Sequence, residues 1–229
     1  MPQPTEAEVL AALESYGAYI NDENYRNFQI ISKIEAIEPG DQHILAGLDG
    51  GSANPDTEWR NTQREEYKAG IMEGLSTLEC PTGQWEFPPD LDIVMNHIDS
   101  LEGGGIRWLR QMDSFIFWLG WGDLQGPRTQ SYHAGQIKTG TEIAKWYEIE
   151  DEFDIAGGFK MGSGTKCWSH AFYSRPKNDE SQGWFWRYGG GAYASCGEVF
   201  ENMVEVLDWY KNFGGLGERD IREMINGVF

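Results

Sequence analysis

The feature that most constrains this chain is a change of hydrophobic period near residue 105. Before it, apolar residues recur at the three-to-four-residue spacing of helices. After it come runs suited to strands, separated by glycine-rich breaks. FDIAGGFKMGSG (153–164), KCWSHAFYS (166–174) and GWFWRYGGGAYAS (183–195) read as successive strands. Helices, then adjacent strands, then a closing helix predict an α+β fold. Its expected form is an antiparallel sheet of about four to six strands flanked by helices, with an N-terminal helical extension.

The helical half is legible in detail. In TEAEVLAALESYGAYI, Thr5 is an N-cap with Glu8 three residues on, the pattern of a capping box. Val9, Leu10, Leu13 and Tyr16 follow at helical spacing, and YRNFQIISKIEAI (25–37) repeats the pattern. LDGGSANPDTEW (48–59) is turn chemistry throughout, so the expected boundary separates an extension over 1–58 from a main body over 59–229. A further helix carries Tyr67, Ile71, Leu75 and Leu78 on one side. PPDLDIVMNHIDSLEGGG (88–105) predicts a helix opened by prolines and closed by glycines, burying Leu91, Val94 or Met95, Ile98 and Leu101. MDSFIFWLGW (112–121) is apolar on both faces, which suits a central strand. TEIAKWYEIE (141–150) fits a short helix or a strand. EVFENMVEVLDWYKNF (198–213) predicts a helix with Phe200, Val204, Leu207 and Tyr210 or Lys211 on its stripe, and ERDIREMINGVF (218–229) a short terminal helix docked through Ile221, Met224 and Ile225.

Hydrophobic residues make up 40% of the 229, and 10 Trp with 11 Phe supply large units of buried area, so one sizeable core is expected. Against 18 Lys and Arg stand 37 Asp and Glu, a formal charge of −19. A phosphate backbone repels such a chain, which argues against direct nucleic-acid binding. The same sign serves solubility, and it suits a basic protein partner. The longest strongly apolar run, FIFWLGW, is far too short to span a bilayer, and MPQPTEAEVL does not resemble a signal peptide. Cys80, Cys167 and Cys196 are odd in number and far apart, so reduced thiols and a cytoplasmic setting, or a nuclear one in a eukaryote, are expected. Neither a metal nor a cofactor is expected, because no ligand spacing is present.

Catalytic signatures are absent. GGFKMGSGTK (157–166) imitates a phosphate loop, but Ser163 stands where the lysine is required, and a glycine turn between strands is the simpler reading. None of the four histidines sits in a metal or nucleophile motif. His170 shares a strand face with Trp168 and Phe172 and points away from Cys167 and Ser169, so a buried, hydrogen-bonded histidine is expected. EIEDEFD (148–154) places five acids in seven residues without calcium-loop spacing, which leaves a solvated acidic edge or a docking surface. Trp184, Trp186 and Tyr188 alternate onto one strand face, with Phe185 and Arg187 on the other. Three aligned aromatics serve either as core or as a sugar platform; core is the expectation.

The order of the second half resembles the SUKH superfamily, which includes fungal cell-wall-synthesis regulators and bacterial toxin-immunity proteins. FPPDLDIVMNHIDSLEGGG is similar to that family's proline-opened, glycine-closed helix, and Asp99-Ser100 replace its usual Asn-Gly. SFIFWLGW, TEIAKWYEIEDE, FDIAGGFKMGSGTKCWSHAFYS, WFWRYGGGAYAS and EVFENMVEVLDWYKNF then occupy the places of the following strands, acidic stretch and closing helix, over roughly residues 62–212. The resemblance implies a non-enzymatic protein-binding module, regulatory or immunity-like, with no cofactor and a basic protein partner. Expected partner contacts are Glu148, Glu150, Asp151, Glu152 and Asp154, with Trp121 and Asp123. Two alternatives stand beside it: a carbohydrate-binding protein or glycosidase using exposed Trp, and an acidic nucleic-acid mimic that inhibits a DNA- or RNA-handling protein.

Overall fold

The computed structural model describes residues 3–20, 57–97, 100–102, 114–117, 134–163, 167–192 and 197–211. Over these the chain is α+β. The helices are α1 (Glu6–Ile20), α2 (Thr57–Leu75), α3 (Pro89–His97), α4 (Gly140–Tyr147) and α5 (Met203–Lys211). The strands are β1 (Ser100–Glu102), β2 (Ser114–Phe117), β3 (Ile137–Thr139), β4 (Phe153–Ser163), β5 (Cys167–Pro176), β6 (Phe185–Ala192) and β7 (Glu198–Phe200). Strands β3 to β7 form one antiparallel sheet in chain order, and β1 pairs with β2.

The capping box forms at the start of α1: Thr5 N–H donates to Glu8 Oε2 at 2.7 Å, and Glu8 N–H donates to Thr5 Oγ1 at 3.4 Å. The helix was expected in an N-terminal extension, yet its Val9, Leu13 and Tyr16 enter the same buried cluster as the sheet. That cluster also takes Tyr67, Ile71 and Leu75 from α2, Leu91, Val94 and Met95 from α3, and Met203, Val206 and Leu207 from α5. Fully burying an aliphatic side chain of this size stabilises by roughly 1.5–3 kcal/mol, so the helical stripes hold this layer on the sheet.

Three segments depart from expectation. The helix expected within 88–105, with a stripe reaching Leu101, spans Pro89–His97, and Ser100–Glu102 is strand β1, with Leu101 opposite Ile116. The backbone of β2 needs hydrogen-bonding partners, and these residues supply them. Ile98 lies outside the described residues. The expected central strand is therefore a hairpin arm: among the described residues β2 pairs only with β1, and it lies against β4 and β5. Finally, Glu198–Phe200 is strand β7 rather than the first turn of the last helix. Asn202 starts α5, its Oδ1 accepting Glu205 N–H at 3.1 Å. The segment 25–37 and the terminal segment 218–229 lie outside the described residues.

The aromatic alternation in β6 holds. Trp186 and Tyr188 are buried on the helix-covered face, and Arg187 is buried on the other. Trp186 Nε1–H donates to the Glu86 carbonyl at 3.0 Å, and its ring meets those of Trp85, Tyr173 and Phe159. Trp184 is only half-buried and stacks on Tyr173. Tyr188 Oη donates to buried Asp90 Oδ1, while Asp90 Oδ2 accepts Met203 N–H at 2.8 Å. One carboxylate thus ties the sheet to the starts of α3 and α5. Burial raises the Asp90 carboxyl above its usual range, against the opposing pull of these hydrogen bonds.

Candidate functional site

The second face of the sheet is where the acidic segment lies. Helix α4 crosses it, and its Ile143 and Tyr147, with Ile149 from the turn that follows, are buried against Phe172, with Phe153, Ile155 and Val199 around them. The sequence left this stretch open between helix and strand. Thr139 and Glu142 decide it with a second capping box: Thr139 N–H donates to Glu142 Oε2 at 2.9 Å, and Glu142 N–H donates to Thr139 Oγ1 at 3.3 Å.

Tyr147 rests on glycine. A Cβ at Gly189 would come within 2.3 Å of its ring, and one at Gly197 equally close. The GGG run is thus partly a seat for Tyr147. Its hydroxyl shares a hydrogen bond of 2.9 Å with His170 Nδ1, and burial raises its pKa well above the usual range. His170 is fully buried, and burial pushes its pKa down to about 3, with the charges of Lys160 and Lys138 acting in the same direction. Histidine Nε2 meets no hydrogen-bond partner among the described residues. A general base needs a pKa near working pH and reach to a substrate. His170 has neither. It fixes α4 to the sheet, as the buried-histidine reading expected.

The chain leaves α4 through Glu148, whose φ of 55° makes it a left-handed C-cap. Glu148, Glu150, Asp151 and Glu152 are all exposed. Their backbone is nonetheless pinned. Ile149 is buried between them, Glu152 and Phe153 N–H both donate to the Ile149 carbonyl at 3.1 Å, and Lys177 N–H donates to the Glu152 carbonyl at 2.9 Å. Lys177 Nζ donates to the Glu150 carbonyl. Asp154 differs from the other four: it is half-buried in an ion pair of 2.8 Å with Arg175. Trp121 and Asp123 lie outside the described residues.

Beside this turn stands Trp146, 43% exposed, the large hydrophobic side chain left open among the described residues. The sequence reading did not single it out. Helical spacing places it at i+3 from Ile143 and next to Tyr147, at the flank of the buried stripe Ile143, Ala144 and Tyr147, so its exposure is set by the fold and not by the period.

Elsewhere, an apolar hollow between α1 and α5 is lined by Ala11, Ala12, Ser15, Val204 and Leu207, with Glu8 and Asp208 at its edge. Gly157 and Gly158, read as part of a turn, lie inside β4, where a Cβ on Gly158 would be 2.2 Å from the Ala171 carbonyl oxygen. Among the described residues no three His, Cys, Asp or Glu side chains converge as metal ligands, and no helix is long and apolar enough to cross a membrane. Comparison of the chain with protein-family models, with curated proteins and with solved structures gave no match.

Proposed function

We propose that this chain is a non-enzymatic protein-binding module, regulatory or toxin-immunity-like, that meets a basic protein partner through the acidic turn 148–152. The observation that carries the reading is the pairing of exposed charge with fixed backbone: four exposed acids project from a turn held by Ile149 and Lys177. Charge presented from ordered backbone loses little conformational freedom on binding and speeds encounter with an opposite surface. The formal charge of −19 adds a long-range field of the same sign. The element order of the second half is compatible with the SUKH resemblance, and a cytoplasmic setting fits three cysteines at distant positions. The sugar-platform alternative draws less support, because Trp186 and Tyr188 are core.

The test is charge reversal. Glu150→Lys, Asp151→Lys and Glu152→Lys together are expected to weaken capture of the partner by about tenfold or more at low salt, since close interfacial charges couple by about 1.5 kcal/mol upward. The melting temperature should stay near that of the unaltered chain. The comparison is a pull-down from source lysate at low and moderate salt, quantified by mass spectrometry. Equal recovery by both proteins would remove this surface as the binding site.

A further inference from the structure

Resting on that reading, we propose that Trp146 anchors the interface and that the partner presents an arginine-bearing basic segment to it. Three observations converge. The ring is exposed but not loose: it lies 4.5 Å from the His170 ring, which is itself held by Tyr147. A large aromatic kept in place before binding is the chemistry of interface hot spots. Next, Trp146 sits in the last turn of α4, where the helix dipole is negative, immediately before the exposed acids 148 and 150–152. A basic segment that covers the ring therefore continues, along the chain, onto these carboxylates. Third, the ring already attracts a cation, Lys138 Nζ at 5.9 Å from its centre.

Arginine fits this surface better than lysine. A guanidinium is planar, stacks on an indole face and forks onto carboxylates, whereas an ammonium is a strongly hydrated point charge. The chain uses the same stacking internally, with Arg175 over Trp184 at 5.4 Å and Arg187 over Phe153 at 4.9 Å. Lys138 over the ring and the exposed Lys145 beside it both work against an incoming cation, so the guanidinium is expected to displace Lys138 and to approach from the side of the acidic turn.

The probes are an oligo-arginine and an oligo-lysine peptide of equal length, titrated calorimetrically against the full chain and each variant, with the indole N–H resonance of Trp146 followed in NMR spectra of the unaltered chain. The resonance is assigned with Trp146→Phe. The arginine peptide should bind several-fold to about tenfold tighter than the lysine peptide, the range a desolvated cation–ring contact gives. Trp146→Ala should abolish that preference, and Trp146→Phe should keep part of it. Thermal melts of each variant separate lost binding from lost folding. Equal affinity for the two peptides, or an unchanged preference in Trp146→Ala, would overturn the anchor. If charge reversal at 150–152 still weakens both peptides in that case, the acidic docking surface stands without it. If charge reversal has no effect, the broader reading fails instead.

Discussion

Lowering the pH from 7 to 4 is expected to remove about 3 kcal/mol of folding stability through His170 alone. The sign follows from where the proton binds. In the unfolded chain the imidazole titrates near 6.5; in the folded chain burial, with Lys160 and Lys138 nearby, depresses it to about 3. Below 6.5 the unfolded state takes up a proton that the folded state refuses. The stability is therefore complete above 6.5 and is lost progressively as pH falls toward 3, where the loss approaches roughly 5 kcal/mol. The raised Asp90 carboxyl works in the opposite direction, so the His170 contribution must be isolated by subtraction. His170→Gln keeps a hydrogen-bonding group for Tyr147 and cannot titrate. Urea unfolding of both proteins across this range should show a steeper acid loss in the unaltered chain. Parallel curves would show that His170 is not buried in its neutral form.

The second large effect concerns the ion pair on the same face. Arg187 is 1% exposed; its Nε donates to Glu201 Oε1 at 3.0 Å and its NH1 group to the Ser174 carbonyl at 3.0 Å. Glu201 keeps about a third of its side chain in water. The pair is thus asymmetric. Removing the carboxylate leaves a buried guanidinium uncompensated, a loss of about 3 kcal/mol or more. Removing the guanidinium leaves a carboxylate that can turn to solvent, and methionine fills most of the vacated volume beside Phe153. Glu201→Ala is therefore expected to destabilise more than Arg187→Met, by at least about 1 kcal/mol in urea midpoint analysis. The reverse order would mean that Glu205, whose carboxylate accepts Glu201 N–H at 2.8 Å, already neutralises Arg187.

What the sequence disclosed follows the length of each signal. Period is readable when several turns repeat it, so the stripe Tyr67–Ile71–Leu75 and the alternation Trp186–Tyr188 were legible. A strand of three residues shows its two-residue period only once. Phe200 continued the helical spacing toward Val204 and Leu207, which hid β7; Asn202 with Glu205 three residues on was the boundary signal. Leu101 likewise extended the stripe of α3, and only pairing with Ile116, a non-local fact, makes it strand. Of the candidate site, the four exposed acids were visible as composition. Trp146 was hidden because its meaning depends on α4 being a helix at all.

The sheet's strand order carries a consequence for how this chain acquires its structure. From β3 to β7 every strand pairs with its neighbour in sequence, so each ladder closes a short loop at low entropic cost. The packing of α1 on α5, by contrast, joins residues 6–20 to residues 203–211 across nearly the whole chain. Sheet assembly is then the early step and seating of α1 the late one. A nascent chain leaving the ribosome offers the apolar stripe of α1 only part of its partners, those on α3, until α5 has been synthesised. Pulse-labelled amide exchange during refolding should protect β4–β6 before α1, and the opposite order would place the nucleus in the helical layer.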